Sequence, residues 1–132
     1  METLELITSQ RKVVEVRIKI NTYTDNCCIY IGLISLDGEF EEPYADVTVN
    51  LGGEAIDYCG YLDTGNLPEL EAFITENGIG EHTGFTKKSG FNEYPFYVFN
   101  ARRLQALCPE GIAQYEQALR REQKVYERQR TR

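Results

Sequence analysis

Residues 12–20 read KVVEVRIKI. Val14, Val16, Ile18 and Ile20 fall on one side of an extended chain and Glu15, Arg17 and Lys19 on the other. A period of two becomes a single buried face only in a strand, so this segment commits the chain to a sheet with one side on a core. The next segments extend that sheet. Residues 27–36, CCIYIGLISL, are apolar on both faces, the pattern of a strand in the middle of a sheet. The intervening NTYTDN is short enough for a hairpin connection. Asp37-Gly38 is the strongest turn signal in the chain. YADVTVNL then alternates, with Ala45, Val47, Val49 and Leu51 inward and Asp46, Thr48 and Asn50 outward. After Gly52-Gly53, AIDYCGYLD reads as a fourth strand, which makes an antiparallel meander.

A helix over 66–77 follows, with Asn66 as cap, Pro68 in the first turn and Glu69 closing a capping box. Leu70, Phe73 and Ile74 share its inner side, and Gly78 stops it in the left-handed conformation. YPFYVFN is a fifth strand, and Pro95 belongs at its beginning or on an edge. Asn100 caps a short helix, ARRLQAL, and Pro109 starts a last one whose apolar positions are Ile112, Tyr115 and Leu119. Beyond Leu119 that stripe fails. The expected fold is therefore α+β: a mainly antiparallel sheet of about five strands, ordered as meander, helix, strand, with helices packed against it. Residues 1–119 form one domain, and 120–132 form a polar, basic end of the last helix.

Between the helix and the fifth strand lies ENGIGEHTGFTKKSGFNEYP. Gly78, Gly80 and Gly84 are spaced one residue too widely for a dinucleotide fingerprint and follow a helix rather than a strand. No Gly-Lys-Ser/Thr follows them, which removes the P-loop as well. Residues 79–93 are expected to run as an extended surface loop pinned by Phe85 and Phe91. Its Thr83, Lys87, Lys88 and Ser89 are the candidate partner-binding residues, because Lys87-Lys88 is the one basic pair between Lys19 and Arg102 on an acidic body.

No catalytic residue is assigned. His82, the chain's one histidine, has no identifiable supporting acid, and Cys28 and Cys59 sit in apolar strands. The four cysteines include no C-x-x-C pair, so no metal site and no cofactor is expected. Residues 1–100 carry six Lys/Arg against seventeen Asp/Glu, a charge of −11, and residues 101–132 carry eight against four, a charge of +4. The body repels phosphates, and only the tail attracts them. No apolar run approaches the roughly 20 residues of a membrane span. METLELITSQRK has no secretory pattern, so a cytoplasmic protein is expected.

The run VTVNLGG…YCGYLDTGNLPELEAFITENGIGEHTGFTKKSGFNEYPFYVFNARRL resembles the core of a family of domains of unknown function, over roughly residues 12–107. Its members are short acidic proteins of gut Gram-positive bacteria and their conjugative elements. The resemblance implies a mobile-element setting and supplies no activity. The leading functional expectation is a non-enzymatic accessory protein of a mobile element that binds another macromolecule, expected to be a protein, with host proteins as one candidate target. Asp37, Glu39, Glu41, Glu42 and Asp46 are a candidate acidic patch that could imitate phosphates. The alternative is a nucleic-acid-associated regulator that uses the basic C-terminal helix through Arg120, Arg121, Lys124, Arg128, Arg130 and Arg132.

Overall fold

The structure, a computed structural model, describes residues 2–130, with side chains as far as Val125. Among these residues the order is β1 (Leu4–Ile7), β2 (Val13–Thr22), β3 (Ile29–Ser35), β4 (Glu42–Asp46), β5 (Thr48–Val49), β6 (Cys59–Leu62), α1 (Leu70–Glu76), β7 (Gly80–Ser89), β8 (Asn92–Phe99), α2 (Ala101–Leu107) and α3 (Pro109–Arg130). The class is α+β and every strand pairing is antiparallel. The strands number eight in two sheets, ordered β1-β2-β3-β4 and β5-β6-β8-β7, where the sequence pattern points to about five in one.

The second sheet arises at a corner. The alternation of residues 44–51 reads as one strand, but the chain crosses between sheets at Val47. The Val47 N–H donates to the Ile31 carbonyl of β3 at 2.8 Å, and its own carbonyl accepts from Asp63, just past β6, at 2.8 Å. Thr48, expected to face outward, is buried at the corner, where its hydroxyl oxygen accepts from the Ile31 N–H at 3.1 Å. That bond satisfies a buried amide left over by the change of sheet.

Residues 79–93 are not a loop. β7 and β8 form a hairpin whose last pair is Ser89 opposite Asn92, so the turn is Gly90-Phe91. Gly90 has φ +63°, as the first position of a type II′ turn needs. Phe91 at the tip is fully exposed and Phe85 is 71% exposed, so neither ring pins the segment. The β8 ladder holds it instead. Pro95 lies inside β8 rather than at its beginning. The β6 ladder stops at Phe96, so Pro95 sits where β8 pairs with β7 alone and its missing N–H interrupts no second ladder.

β1 adds an unexpected strand through Leu4 and Leu6, both buried against β2. α1 begins at Leu70, a turn later than its start signals imply, and Asn66 instead donates through Nδ2 to Asp63 at 2.8 Å. Its end is as expected. Gly78 has φ +68°, its N–H donates to the Thr75 carbonyl, and the Ile79 N–H donates to Ile74 at 2.9 Å. This is the paired bonding of a Schellman cap. The Asn100 side chain accepts from the Arg103 N–H and caps α2.

One core lies between the sheets and the helices. Ile18, Ile20, Ile31 and Leu33 meet Leu62, Tyr97 and Phe99 of the second sheet and Leu70, Ile74, Leu104, Ile112 and Tyr115 of the helices. α3 approaches β2 so closely that a Cβ on Gly111 would stand 2.5 Å from the Ile20 carbonyl. Residues 120–125 of α3 are exposed, in keeping with the lost stripe.

Candidate functional site

The two sheets differ on the faces turned away from the core. On the first sheet that face is polar and internally paired. Arg17 contacts Glu41 at 2.9 Å, and Tyr30 donates to Asp46 at 2.6 Å while its ring covers Gly32. The Asp37 carboxylate accepts from the Glu15 N–H at 3.3 Å. Of the five acids in the candidate phosphate-imitating patch, Asp37, Glu41 and Asp46 are thus engaged within the fold, which leaves Glu39 and Glu42.

On the second sheet the outer face is aromatic. Tyr61 of β6 stands opposite Phe96 of β8, with ring centroids 4.7 Å apart. Around that pair lies a cleft of about 430 Å³. Its floor includes Cys28, Cys59, Val49, Tyr61 and Phe96; the segment from Asn50 to Ile56 walls one side, and Phe85, Thr86 and Lys87 of β7 wall the other. Ile56 and Phe85 are exposed at 58% and 71%, an uncommon disposition for two large apolar side chains flanking one groove.

The walls are held by hydrogen bonds rather than by the core. Asn26 and Asn50 exchange side-chain amide bonds at 3.0 and 3.3 Å, Asn26 also donates to the Gly53 carbonyl at 3.1 Å, and Asn50 donates to Asp25 at 3.1 Å. These bonds tie the Gly52-Gly53 turn, with φ of +83° and +82°, to the β2–β3 connection. At the other end Tyr58 sits at φ +59°, a strained conformation for an aromatic residue. Three bonds hold it there. Its N–H donates to the Tyr115 hydroxyl at 2.9 Å, its carbonyl accepts from the Phe99 N–H at 2.7 Å, and its hydroxyl donates to Glu116 at 2.6 Å. The Tyr58 and Tyr115 rings meet edge-on at 5.2 Å. Burial pushes the Tyr115 hydroxyl up to about 12, so it stays neutral and able to accept. Opposite, the bulge in β7 between His82 and Thr86 carries Phe85 to the cleft. His82 closes that bulge, accepting the Gly84 N–H on Nδ1 at 2.7 Å beside the Tyr97 ring. Its role in the structure is local geometry.

The four candidate partner-binding residues all lie on β7, but only Lys87 lines the cleft. The half-buried Thr83 uses its hydroxyl to donate to the Phe96 carbonyl at 2.8 Å and to accept from the Phe85 N–H. Lys88 and Ser89 are exposed near the hairpin tip, Lys88 opposite Glu93. The cleft itself is absent from the sequence reading, because it gathers five separated stretches of chain. Burial raises the Cys28 and Cys59 thiols above their ordinary value, so both stay protonated at neutral pH and are poor nucleophiles. Among the described residues no three His, Cys, Asp or Glu side chains converge as a metal cage requires, and no helix is long and apolar enough to cross a membrane.

A family model described as a domain of unknown function, DUF4313, matches residues 17–119. The chain belongs to this family. The match takes in the packed part of α3, which the resemblance seen in the sequence leaves out, and it stops at Leu119, the last of the described residues of α3 packed against the core. It includes every residue that lines the cleft and excludes β1. No curated protein and no solved structure matches the chain.

Proposed function

We propose that this DUF4313 chain is a non-enzymatic binding protein that holds another protein against the outer face of its second sheet. The observation that carries this reading is the preformed aromatic cleft. A wall segment with two consecutive left-handed glycines and a strained tyrosine is braced at both ends by hydrogen bonds. Bracing a loop in advance lowers the ordering cost of binding. Lys87 belongs to the contact surface, with Lys88 and Ser89 beside it. A cytoplasmic setting on a mobile element, with a host protein as partner, is part of the proposal.

The test begins with capture of a partner by the tagged chain and measurement of the purified pair. Phe85→Ser combined with Ile56→Ser removes two exposed apolar walls, so it should leave the melting temperature in place and weaken the pair at least about tenfold. An unchanged affinity would contradict the reading. A second reading, nucleic-acid binding through α3, draws on the exposure of Arg120, Arg121 and Lys124; the side chains of Arg128, Arg130 and Arg132, which it also invokes, lie outside the described residues. It requires an electrophoretic shift with mixed DNA and RNA at low salt that disappears when residues 120–132 are deleted.

A further inference from the structure

We infer that the cleft takes an apolar side chain from a basic partner segment, whose flanking arginines or lysines meet the carboxylates around the cleft. This rests on the function proposed above and adds the class of partner. The floor supplies Tyr61, Phe96 and Val49, and the walls supply Ile56 and Phe85; this surface suits an inserted aromatic or aliphatic group. One acid lines the cleft and two more lie outside the lining, on the same face or at the end of the wall. Glu54 is exposed on the wall segment. Glu81 is exposed and shares the outer face by register, since it pairs with Val98, which in turn faces Cys59. Asp57 is exposed beside the strained Tyr58, where the wall rejoins β6.

Among the described residues that line the cleft, Lys87 is the single cation and Glu54 the single anion, so the lining itself is neutral. The negative field comes from Glu81 and Asp57 outside the lining and from the −11 that the first hundred residues carry. A basic segment is therefore drawn in and an acidic one turned away. Nucleic acid offers stackable bases to the same rings but brings phosphates into that field, which disfavours it. Lys87 tempers the attraction on one wall, and reversing it should sharpen the preference for basic segments.

The chain contains no tryptophan, so a peptide's indole reports binding without background. The experiment titrates the full chain into three capped pentapeptides, Arg-Lys-Trp-Lys-Arg, Gly-Ser-Trp-Ser-Gly and Glu-Asp-Trp-Asp-Glu, at low salt. Blue-shifted, saturable emission is expected for the basic peptide, at least about tenfold tighter than for the acidic one, and weakened several-fold by 0.5 M salt. Glu54→Lys should weaken it several-fold and Lys87→Glu should tighten it. Phe85→Ser with Ile56→Ser should weaken it at least about tenfold. Equal binding of all three peptides, lost in the double serine variant, would leave cleft docking standing and overturn the basic partner. Basic-peptide binding unchanged by the double serine substitution, or no binding of any peptide, would overturn the cleft as well. A dimer in sedimentation that the double serine variant abolishes would assign the face to a second copy and overturn the proposal.

Discussion

Tyr115→Phe removes one oxygen and tests what keeps the cleft wall in place. Tyr115 is fully buried on α3, and its hydroxyl receives the backbone N–H of Tyr58, which stands at φ +59°. The substitution keeps the ring, its edge-on contact with Tyr58 and the packing of α3. It deprives the Tyr58 N–H of its partner. A buried amide left unpaired costs about 1–3 kcal/mol. Tyr58 is only partly buried, so water recovers some of that and about 1–2 kcal/mol is expected. In a chain of this length that lowers the melting temperature by about 4–8 °C. The assay is urea and thermal unfolding, together with amide exchange read at Tyr58. That amide should exchange slowly in the natural chain and much faster in the variant, while amides of β2 and β3 change little. Glu116→Gln leaves an acceptor for the Tyr58 hydroxyl and should cost less. If Tyr115→Phe is neutral and the Tyr58 amide stays protected, the hydroxyl is not what holds the strained residue, and the account of the wall fails.

Other consequences are simpler to check. Gly111→Ala places a Cβ against the Ile20 carbonyl and should destabilise by about 1–3 kcal/mol in urea unfolding, because α3 must move off β2. Gly78→Val puts a β-branched residue at φ +68° and should cost about 1–2 kcal/mol; an unchanged melting temperature would argue against the Schellman cap. Phe91→Ala should stay within about 0.5 kcal/mol of the natural chain, since the ring stands free at the hairpin tip, and Lys87→Ala with Lys88→Ala should do the same.

Much of the fold is legible wherever one face of an element is buried. β2 declares itself because Val16, Ile18 and Ile20 must all point one way, and α3 because Ile112, Tyr115 and Leu119 recur at helical spacing. The misreadings share a physical cause. β7 is exposed along most of its length, so no alternation marks it, and its glycines and lysines read as a loop. The two-residue Gly90-Phe91 turn is a hairpin signal that goes unnoticed once the preceding strand is missed. Phe85 and Phe91 look like anchors because aromatic rings usually bury; here one lines a cleft and the other projects. The corner at Val47 is hidden because the alternation of residues 44–51 continues in sequence while the partner strand changes. The cleft is the least legible feature. Cys28, the wall segment, Tyr61, Phe85 and Phe96 come together only through the pairing of β6 with β8 and the bulge in β7.

The most direct measurement is a map of backbone amide shifts as the Arg-Lys-Trp-Lys-Arg peptide is added to the isotopically labelled chain. Docking at the second sheet predicts that the largest changes gather at Cys28, Asn50–Ile56, Tyr61, Phe85–Lys87 and Phe96. It predicts little change in the β3–β4 connection and in α3 beyond Leu119. Changes centred on Glu39 and Glu42, or spread evenly over the acidic body while the cleft amides stay still, would contradict it.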